Sequence, residues 1–233
     1  MIVGIAAVVS LRLLVRDNYK EGADKMSCRI ILASASPRRR EILSQVGLVY
    51  EVIPSDFEEH AKADTPQEYV RLLAYGKAKA VADMLKKNKT AGECLAENSS
   101  EEPVMVIGAD TVVVHRDVIL QKPVDKEDAF RMLSALQGDV HEVDTGVAVL
   151  VQMPDGSHRE KSFTVRTQVE CYPVTKAELW KYLEDDEYAD KAGGYAIQGR
   201  FAAYIKEIRG DYYNVVGLPV SALLQALKEL EIN

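Results

Sequence analysis

Short apolar segments and amphipathic segments alternate along the first half of the chain, and this alternation is what most restricts the fold. The apolar segments have the length of buried strands, and the amphipathic ones repeat their apolar residues with the period of a helix. Pro37 and Pro66 stand where helices would begin, and Gly47 stands where one would end. The predicted order is strand 29–33, helix 37–46, strand 49–53 and helix 66–87.

The second half is richer in β-branched residues and predicts a hairpin. Two long alternating stretches are joined by Pro154-Asp155-Gly156, a sequence typical of a tight turn. An apolar run at 104–107 predicts a strand, and Asp110 is expected at a strand end or bend. The other predicted elements are strands at 111–115, 118–120, 141–152, 157–174 and 202–208, helices at 125–136, 176–183 and 219–230, and a glycine-rich loop at 191–199. These elements indicate an α/β fold with a mixed, twisted sheet and flanking helices.

Length and composition predict one folded domain with two segments outside its regular elements. A chain of 233 residues with 47% hydrophobic and 28% charged residues is typical of a globular protein with a sizeable core. The apolar run 2–15 contains Arg12 and is shorter than the roughly 20 residues that span a bilayer, so stable membrane insertion is not expected. We expect residues 1–26 to be an extension, with Met26 as an alternative start, and residues 27–233 to form the domain. The polar stretch 88–102 lacks periodicity and is predicted to be a flexible insertion.

Charge and cysteine content argue against several classes of function. A net charge of −7 disfavours binding to nucleic-acid backbone, which normally needs a basic face. The three cysteines are far apart and odd in number, which suits a reducing compartment, and a cytoplasmic location is expected. The four histidines lack the paired spacing of a zinc site. A compact anionic ligand needs only a local basic pocket and is compatible with this composition.

The segment 33–40, Ala-Ser-Ala-Ser-Pro-Arg-Arg-Arg, is a candidate phosphate site. It joins the first predicted strand to a helix N-terminus, where free backbone N–H groups and the helix dipole attract anions. Arginine side chains can bind phosphate oxygens through two parallel hydrogen bonds. The alternative is that Ser36 merely caps the helix and that the arginines are solvated surface charges. The segment matches no Walker P-loop, so both interpretations stay open at this point.

Three further positions are candidates for chemistry. Asp110 follows an apolar run, where α/β enzymes often place a metal ligand or a base, but a turn aspartate bonded to its own backbone is the alternative. Lys122 follows the next strand, and its alternative is an ordinary turn lysine. In the segment 190–199, three glycines flank Gln198, whose amide can both donate to and accept from a pyrimidine edge. The alternative for that segment is a flexible loop.

Together these segments resemble the Maf family of nucleotide pyrophosphatases. The family's signatures appear as SASPRRREIL (34–43), GADTVV (108–113), QKP with DAFRMLSALQGDVHEVDTGVAV (121–149), and DKAGGYAIQG with GDYYNVVGLPV (190–220). They occur in the family's order, from about residue 29 to the C-terminus. The resemblance implies a mixed α/β fold, similar to that of inosine triphosphatases, with two lobes around a substrate cleft.

The resemblance also implies roles for individual residues. Asp110 matches the family's proton acceptor, and Thr111 and Gln198 match positions that determine substrate choice. The phosphate- and metal-handling positions of the family match Ser34, Arg38, Arg39, Glu59, Lys77 and Lys122. Among these, Lys77 and Lys122 are expected to assist catalysis and Glu59 to bind metal together with Asp110. Ser36, in the same segment as the arginines, is expected to bind substrate.

The activity that the resemblance implies is hydrolysis of dTTP or UTP, or of modified pyrimidine nucleotides, to the monophosphate and pyrophosphate. A divalent cation, Mg²⁺ or Mn²⁺, is the expected cofactor. The branch of the family acting on these substrates has GADT and YxIQG segments, as this sequence does, whereas the branch acting on 7-methyl-GTP has other residues there. A related enzyme with another base preference and a regulatory protein acting on cell division through a partner are the alternatives. A homodimer is expected.

Overall fold

The computed structural model describes residues 28–57, 61–90 and 102–230. In these ranges the strands are β1 (Arg29–Leu32), β2 (Glu51–Val52), β3 (Val104–His115), β4 (Val118–Leu120), β5 (Val140–Gln152), β6 (His158–Cys171) and β7 (Ile205–Arg209). The helices are α1 (Pro37–Gln45), α2 (Pro66–Thr90), α3 (Lys126–Leu136), α4 (Lys176–Tyr182), α5 (Tyr212–Val216) and α6 (Val220–Glu229). Short 3₁₀ turns cover Asp186–Tyr188, Ala192–Gly194 and Arg200–Tyr204.

The strands form one mixed sheet. Its order is β2-β1-β3-β5-β6-β7, and β4 pairs with the far end of β3. β1 runs parallel to β2 and β3, whereas the other pairs are antiparallel. The predicted hairpin is confirmed, because β5 and β6 pair along their whole length and Gly156, with φ of 87°, lies in the turn between them.

Helices cover both faces of this sheet. α2 packs on one face, where Ala74, Ala78 and Val81 cluster with Val106 of β3. The neighbours of Val106 in β3 point to the opposite face, as strand alternation requires, and there they join a larger core. α1, α3, α4 and α6 bury Leu43, Leu133, Leu179 and Leu223 in that core. The predicted α/β fold with a mixed sheet and flanking helices is confirmed.

Two glycines allow α2 to approach the sheet closely. A Cβ atom on Gly108 of β3 would lie 2.2 Å from the carbonyl oxygen of Ala74, and one on Gly146 of β5 would lie 2.3 Å from that of Val70. Both obstructing atoms belong to the backbone of α2, so they could move aside only if the helix shifted. The two glycines therefore set the distance between α2 and the strands, and with it the position of the side chains that α2 points at the sheet.

β3 has an open stretch of edge next to the carboxyl end of β1. β1 pairs with β3 only as far as Leu32 and Ile107, and β4 pairs with β3 only from Val113 onward. Residues 108–112 pair with β5 on one side and, among the described residues, have no strand partner on the other. Ligands of open α/β sheets bind beyond the carboxyl ends of parallel strands. This gap is therefore the expected place for a ligand.

The prediction that Asp110 lies at a strand end or bend is wrong. β3 is one continuous strand of 12 residues, and Asp110 lies near its middle, beside the gap. The local sequence misleads because glycine usually weakens a strand, whereas Gly108 here serves the close contact with α2.

Other elements differ from the prediction at their ends. α2 continues to Thr90, so residues 88–90 belong to a helix and not to the predicted insertion. Residues 202–204 belong to a 3₁₀ turn, and β7 begins only at Ile205. α5 is not among the predicted elements, because its five residues are too few to show a helical period.

Two predicted segments lie outside the described residues. They are the extension 1–26 and residues 91–101 of the insertion, so the proposed division of the chain stays a prediction. Across the three described ranges, no helix is both long enough and apolar enough to cross a membrane.

Gly108→Ala should lower the free energy of unfolding by at least about 2 kcal/mol, because the added methyl group must push α2 away from β3. Urea unfolding followed by circular dichroism measures this. Gly156→Ala is the control: its Cβ would meet no atom within 4 Å, so only the cost of a left-handed residue, about 1 kcal/mol, is expected. A loss for Gly108→Ala no larger than that of the control would contradict the role of Gly108.

Candidate active site

A cleft of about 520 Å³ occupies the gap beside β3. Its walls come from the segment that joins β1 to α1, from α2, from the middle of β3, and from loops around residues 121–122, 190–198 and 215–217. The predicted site residues that line it are Ser34, Ser36, Arg38, Arg39, Lys77, Asp110, Thr111, Lys122 and Gln198. Glu59, the other predicted site residue, lies outside the described residues. The fold thus gathers residues from widely separated parts of the chain at one place.

Asp110 and Lys77 form an ion pair on the α2 side of the cleft. Lys77 Nζ donates to Asp110 Oδ1 at 2.6 Å, and the two side chains are only 15% and 13% exposed. The pair is a product of the fold, because strand alternation points Asp110 toward α2 and the contact at Gly108 brings Lys77 within reach. Since Asp110 lies in a strand, the alternative of a turn aspartate is excluded. A carboxylate held this way beside a cleft is placed to bind a metal ion or to accept a proton.

The segment before α1 has the geometry of an anion site. Ser34 Oγ accepts the backbone N–H of Ser36 at 3.3 Å, and Ser36 itself stands at the N-cap of α1. The Ser36 side chain makes no capping hydrogen bond, so capping does not explain this serine. Arg38, in the first turn, is half-buried, and burial lowers the pKa of its guanidinium. Only Arg40 fits the alternative of a solvated surface charge, because it is exposed and does not line the cleft.

Arg39 connects three separate segments around the cleft. Its guanidinium donates to Ser34 Oγ at 3.0 Å, to Thr111 Oγ1 at 3.2 Å and to the carbonyl oxygen of Gly217 at 2.9 Å. These acceptors lie in the segment that joins β1 to α1, in β3 and in the turn after α5. A planar guanidinium with several fixed N–H donors suits such an arrangement, whereas a lysine ammonium does not have the same spread. Arg39 therefore holds the α1 side of the cleft together.

A buried hydrogen-bond network supports Thr111 from the interior. Thr111 Oγ1 lies 2.9 Å from Thr145 Oγ1 on β5, and Thr145 donates to the carbonyl oxygen of Asn214 at 3.0 Å. Asn214 Nδ2 donates to the carbonyl oxygen of Val143 at 2.9 Å and to Thr167 Oγ1 at 3.0 Å. Thr145, Thr167 and Asn214 are not among the predicted site residues. A signal existed for Thr145 and Asn214, which lie within the quoted motifs 121–149 and 210–220.

Cationic side chains gather in another part of the cleft. Arg38, Lys122 and Lys191 all line it, and Asp190 contacts both Lys191 Nζ and, at 3.9 Å, Arg38 Nη2. Burial lowers the pKa of the Lys191 ammonium to about 8; the charges of Arg38 and Lys122 act in the same direction, and that of Glu187 opposes them. Lys191 is not among the predicted site residues, because the burial that distinguishes it from an exposed lysine is not visible in the local pattern.

Gln198 lies at the rim of the cleft on an anchored segment. Gly193 and Gly194 have φ of 70° and 77°, and the N–H of Gly193 donates to the carbonyl oxygen of Gln121 at 3.0 Å. These contacts show that residues 192–194 are not a free loop, which was the alternative for this segment. The Gln198 side chain is exposed and borders the cleft, so it can contact the part of a ligand that extends outward.

Arg39→Lys should lower the free energy of unfolding by about 1–3 kcal/mol, because three acceptors lose the donor that joins them. Arg40→Lys is a matched control on the next residue, which is exposed and outside the cleft, and a change within about 0.5 kcal/mol is expected there. Urea unfolding of both variants gives the comparison. Equal stability of the two would mean that Arg39 does not hold these segments together.

Several curated proteins match this chain over nearly their full length. The dTTP/UTP pyrophosphatase of Agathobacter rectalis is 45% identical over 205 residues, which cover 88% of this chain and 98% of that protein. Those of Lachnoclostridium phytofermentans and a Geobacillus species are 39% and 42% identical, covering 88% and 87% of this chain and 96% and 98% of theirs.

Likeness to solved structures is more remote. The Ham1 protein of Staphylococcus aureus aligns with 87% of this chain and 99% of its own at 15% identity, with a TM-score of 0.35. The family model described as Maf-like protein, by contrast, matches residues 29–230, which include every described residue of the cleft. The chain belongs to the Maf-like protein family.

Proposed function

We propose that this protein is a dTTP/UTP pyrophosphatase, which hydrolyses these nucleotides to the monophosphate and pyrophosphate. The observation that carries the proposal is the Asp110–Lys77 ion pair in a cleft that also contains Arg38, Lys122 and the N-terminus of α1. The relatives that share the fold over most of its length bear the name of this activity. Modified pyrimidine nucleotides belong to the same proposed substrate class.

The charge of the cleft suits a triphosphate. Such a substrate carries roughly four negative charges at neutral pH, which repel an attacking water unless cations offset them. Arg38 and Lys122 are placed to bind phosphate oxygens, and free N–H groups in the first turn of α1 add partial positive charge. We assign Ser34 and Ser36 to the same subsite, since their hydroxyls stand beside that helix end. Arg39 contributes by fixing the segment that carries them.

A divalent cation, Mg²⁺ or Mn²⁺, is the proposed cofactor, with Asp110 and Glu59 as its protein ligands. Among the described residues no group of three acidic, histidine or cysteine side chains converges as a metal cage would. Mg²⁺ usually binds through one or two carboxylates together with substrate phosphates and water, so the Asp110 carboxylate in this cleft fits such an ion. When bound, the ion would neutralise phosphate charge and make water more acidic.

The proposed chemical step is attack of water on the α-phosphorus. A bond forms between the water oxygen and that phosphorus, the bond from the α-phosphorus to the bridging oxygen breaks, and pyrophosphate leaves. Asp110 accepts the proton that the water loses, and Lys77 holds the carboxylate in position through the bond to Oδ1. Lys122 is assigned to stabilise the charge that develops on the phosphate chain.

Base choice is assigned to Gln198 and Thr111. The Gln198 amide at the rim can donate to and accept from a pyrimidine edge. Thr111 acts indirectly in this proposal, since its hydroxyl is already engaged by Arg39 and lies next to Thr145. A cytoplasmic location and a homodimer stay predictions.

The activity test is pyrophosphate release from dTTP, UTP, CTP, ATP and GTP, with and without Mg²⁺. dTTP and UTP should be the best substrates, and Asp110→Asn should reduce their turnover by about 10²-fold or more while nucleotide binding is largely kept, because the change removes the proton acceptor's charge. Asp83→Asn is the control and should retain full turnover, because Asp83 pairs with Lys79 on α2 and does not line the cleft. Failure of the wild type to hydrolyse any nucleotide would refute the proposal.

Gln198→Ala should weaken discrimination between pyrimidine and purine triphosphates, since one base contact is worth about 1–3 kcal/mol, or roughly 5- to 150-fold in relative kcat/KM. Hydrolysis of the best substrate should persist, because a neutral amide has no evident part in phosphate chemistry. Gln225→Ala, at an exposed position of α6, is the matched control. If kcat/KM falls equally for all five nucleotides, Gln198 shapes the loop and does not contact the base.

A further inference from the structure

The backbone around Lys191 is unusually well fixed for a surface loop. The N–H of Lys191 donates to the carbonyl oxygen of Tyr188 at 3.1 Å, and its own carbonyl oxygen accepts the N–H of Gly194 at 3.1 Å. Gly193 then ties the segment to Gln121, the neighbour of Lys122. Its φ of 70°, and a distance of 3.0 Å from its would-be Cβ to Val113, suit only glycine. Lys191 and Lys122 therefore reach the cleft from two loops that are bonded to each other.

The side chain of Lys191 is largely buried, as that of Lys77 is. It is 15% exposed, whereas the neighbouring Asp190 is 66% exposed. Burial of an ammonium is unfavourable unless an anion accompanies it. Asp190 supplies that anion, and it also lies 3.9 Å from Arg38, so one exposed carboxylate serves two cations.

Three cations, counting the Lys191 ammonium itself, meet two carboxylates at this point of the cleft. Arg38 approaches from α1, Lys122 from the loop after β4, and Asp190 and Glu187 from its own segment. Glu187 is partly engaged elsewhere, because its carboxylate accepts the N–H of Arg200 and the hydroxyl of Tyr182. Burial and the two cations lower the pKa of Lys191 to about 8, so the ammonium is charged at pH 7 and mostly neutral at pH 9.

We propose that Lys191 is a further substrate-binding residue of the cleft, whose ammonium binds the phosphate chain of the nucleotide together with Arg38 and Lys122. A polyphosphate would add anionic oxygens to a cluster whose cations outnumber its carboxylates, and Asp190 is the counter-ion of Lys191 when no nucleotide is bound. This inference deepens the proposed function and rests on it for the identity of the ligand. It adds Lys191, from a third segment of the chain, to a phosphate subsite formed by residues 34–38 and Lys122.

The test uses binding of inorganic tripolyphosphate, measured by calorimetry without divalent metal, so that hydrolysis plays no part. Lys191→Met keeps the length of the side chain and removes its charge, and it should weaken binding at pH 7 by about tenfold or more. Lys181→Met, at an exposed position of α4, is the matched control and should bind as the wild type does. Thermal melting of each variant shows whether the fold is kept.

A pH comparison separates direct binding from a structural role. With a pKa of about 8, one lysine in about ten is protonated at pH 9, so an advantage of about tenfold for the wild type over Lys191→Met at pH 7 should fall to about twofold at pH 9. The ionisation of tripolyphosphate is common to both proteins and cancels in the ratio. If Lys191→Met does not fold, Lys191→Arg replaces it: the arginine stays charged, so the variant should gain about fivefold on the wild type over the same range.

Three results would overturn the inference. The first is equal tripolyphosphate affinity of the wild type and Lys191→Met at pH 7. The second is a ratio of these two affinities that does not change between pH 7 and pH 9. The third is a wild type that binds no tripolyphosphate at millimolar concentration. Loss of the proposed function looks different: a wild type that hydrolyses no nucleotide but shows the Lys191-dependent binding refutes the activity and keeps the anion site. If the wild type hydrolyses dTTP, but the ratio of its tripolyphosphate affinity to that of Lys191→Met does not change with pH, only the role of Lys191 is refuted.

Discussion

The geometry of the cleft depends on how closely α2 packs against the sheet. Two glycines on neighbouring strands, Gly108 and Gly146, remove the side chains that would keep the helix at a normal distance. At that reduced distance Lys77 reaches Asp110 at 2.6 Å, and the pair is largely shielded from water. A charged pair in such surroundings gains from its attraction only if its geometry is good, so the backbone contact is a condition for the ion pair. Packing and chemistry are therefore linked at the same two glycine positions.

The other side of β3 is organised by polar contacts. Arg39 joins three chain segments, one of them through its hydrogen bond to Thr111. Thr111 is hydrogen-bonded to Thr145, which donates to the carbonyl oxygen of Asn214. Buried polar groups are costly when they lack partners, and a network that satisfies most of them favours one arrangement over its competitors. The turn after α5 is placed by this network, since Gly217 is one of the three acceptors of Arg39. This hydrogen-bond network thus fixes the shape of the cleft on this side.

Sequence reasoning was sufficient where a property is local and insufficient where it arises from contact between distant segments. The hairpin at Gly156 and the helices that begin at Pro37 and Pro66 follow from turn and helix signals that neighbouring residues carry. Asp110 was misplaced because the reason for Gly108 lies in α2, more than thirty residues earlier in the chain. The motifs located the residues that line the cleft, but they could not reveal that Arg39 binds protein atoms or that Lys191 is buried, because both facts exist only once the chain has folded.

Consecutive residues of a strand point to opposite faces, and in this protein that alternation passes through the cleft itself. Asp110 belongs with α2, whereas Thr111 belongs with Arg39 and the core behind β5. Asp110 and Thr111 are joined by a peptide bond, but in these contacts their side chains have no neighbour in common. A substitution at Thr111 would therefore disturb the contacts with Arg39 and Thr145 while leaving the Asp110–Lys77 contact as it is. A strand through the middle of a cleft thus presents two independently variable surfaces one residue apart.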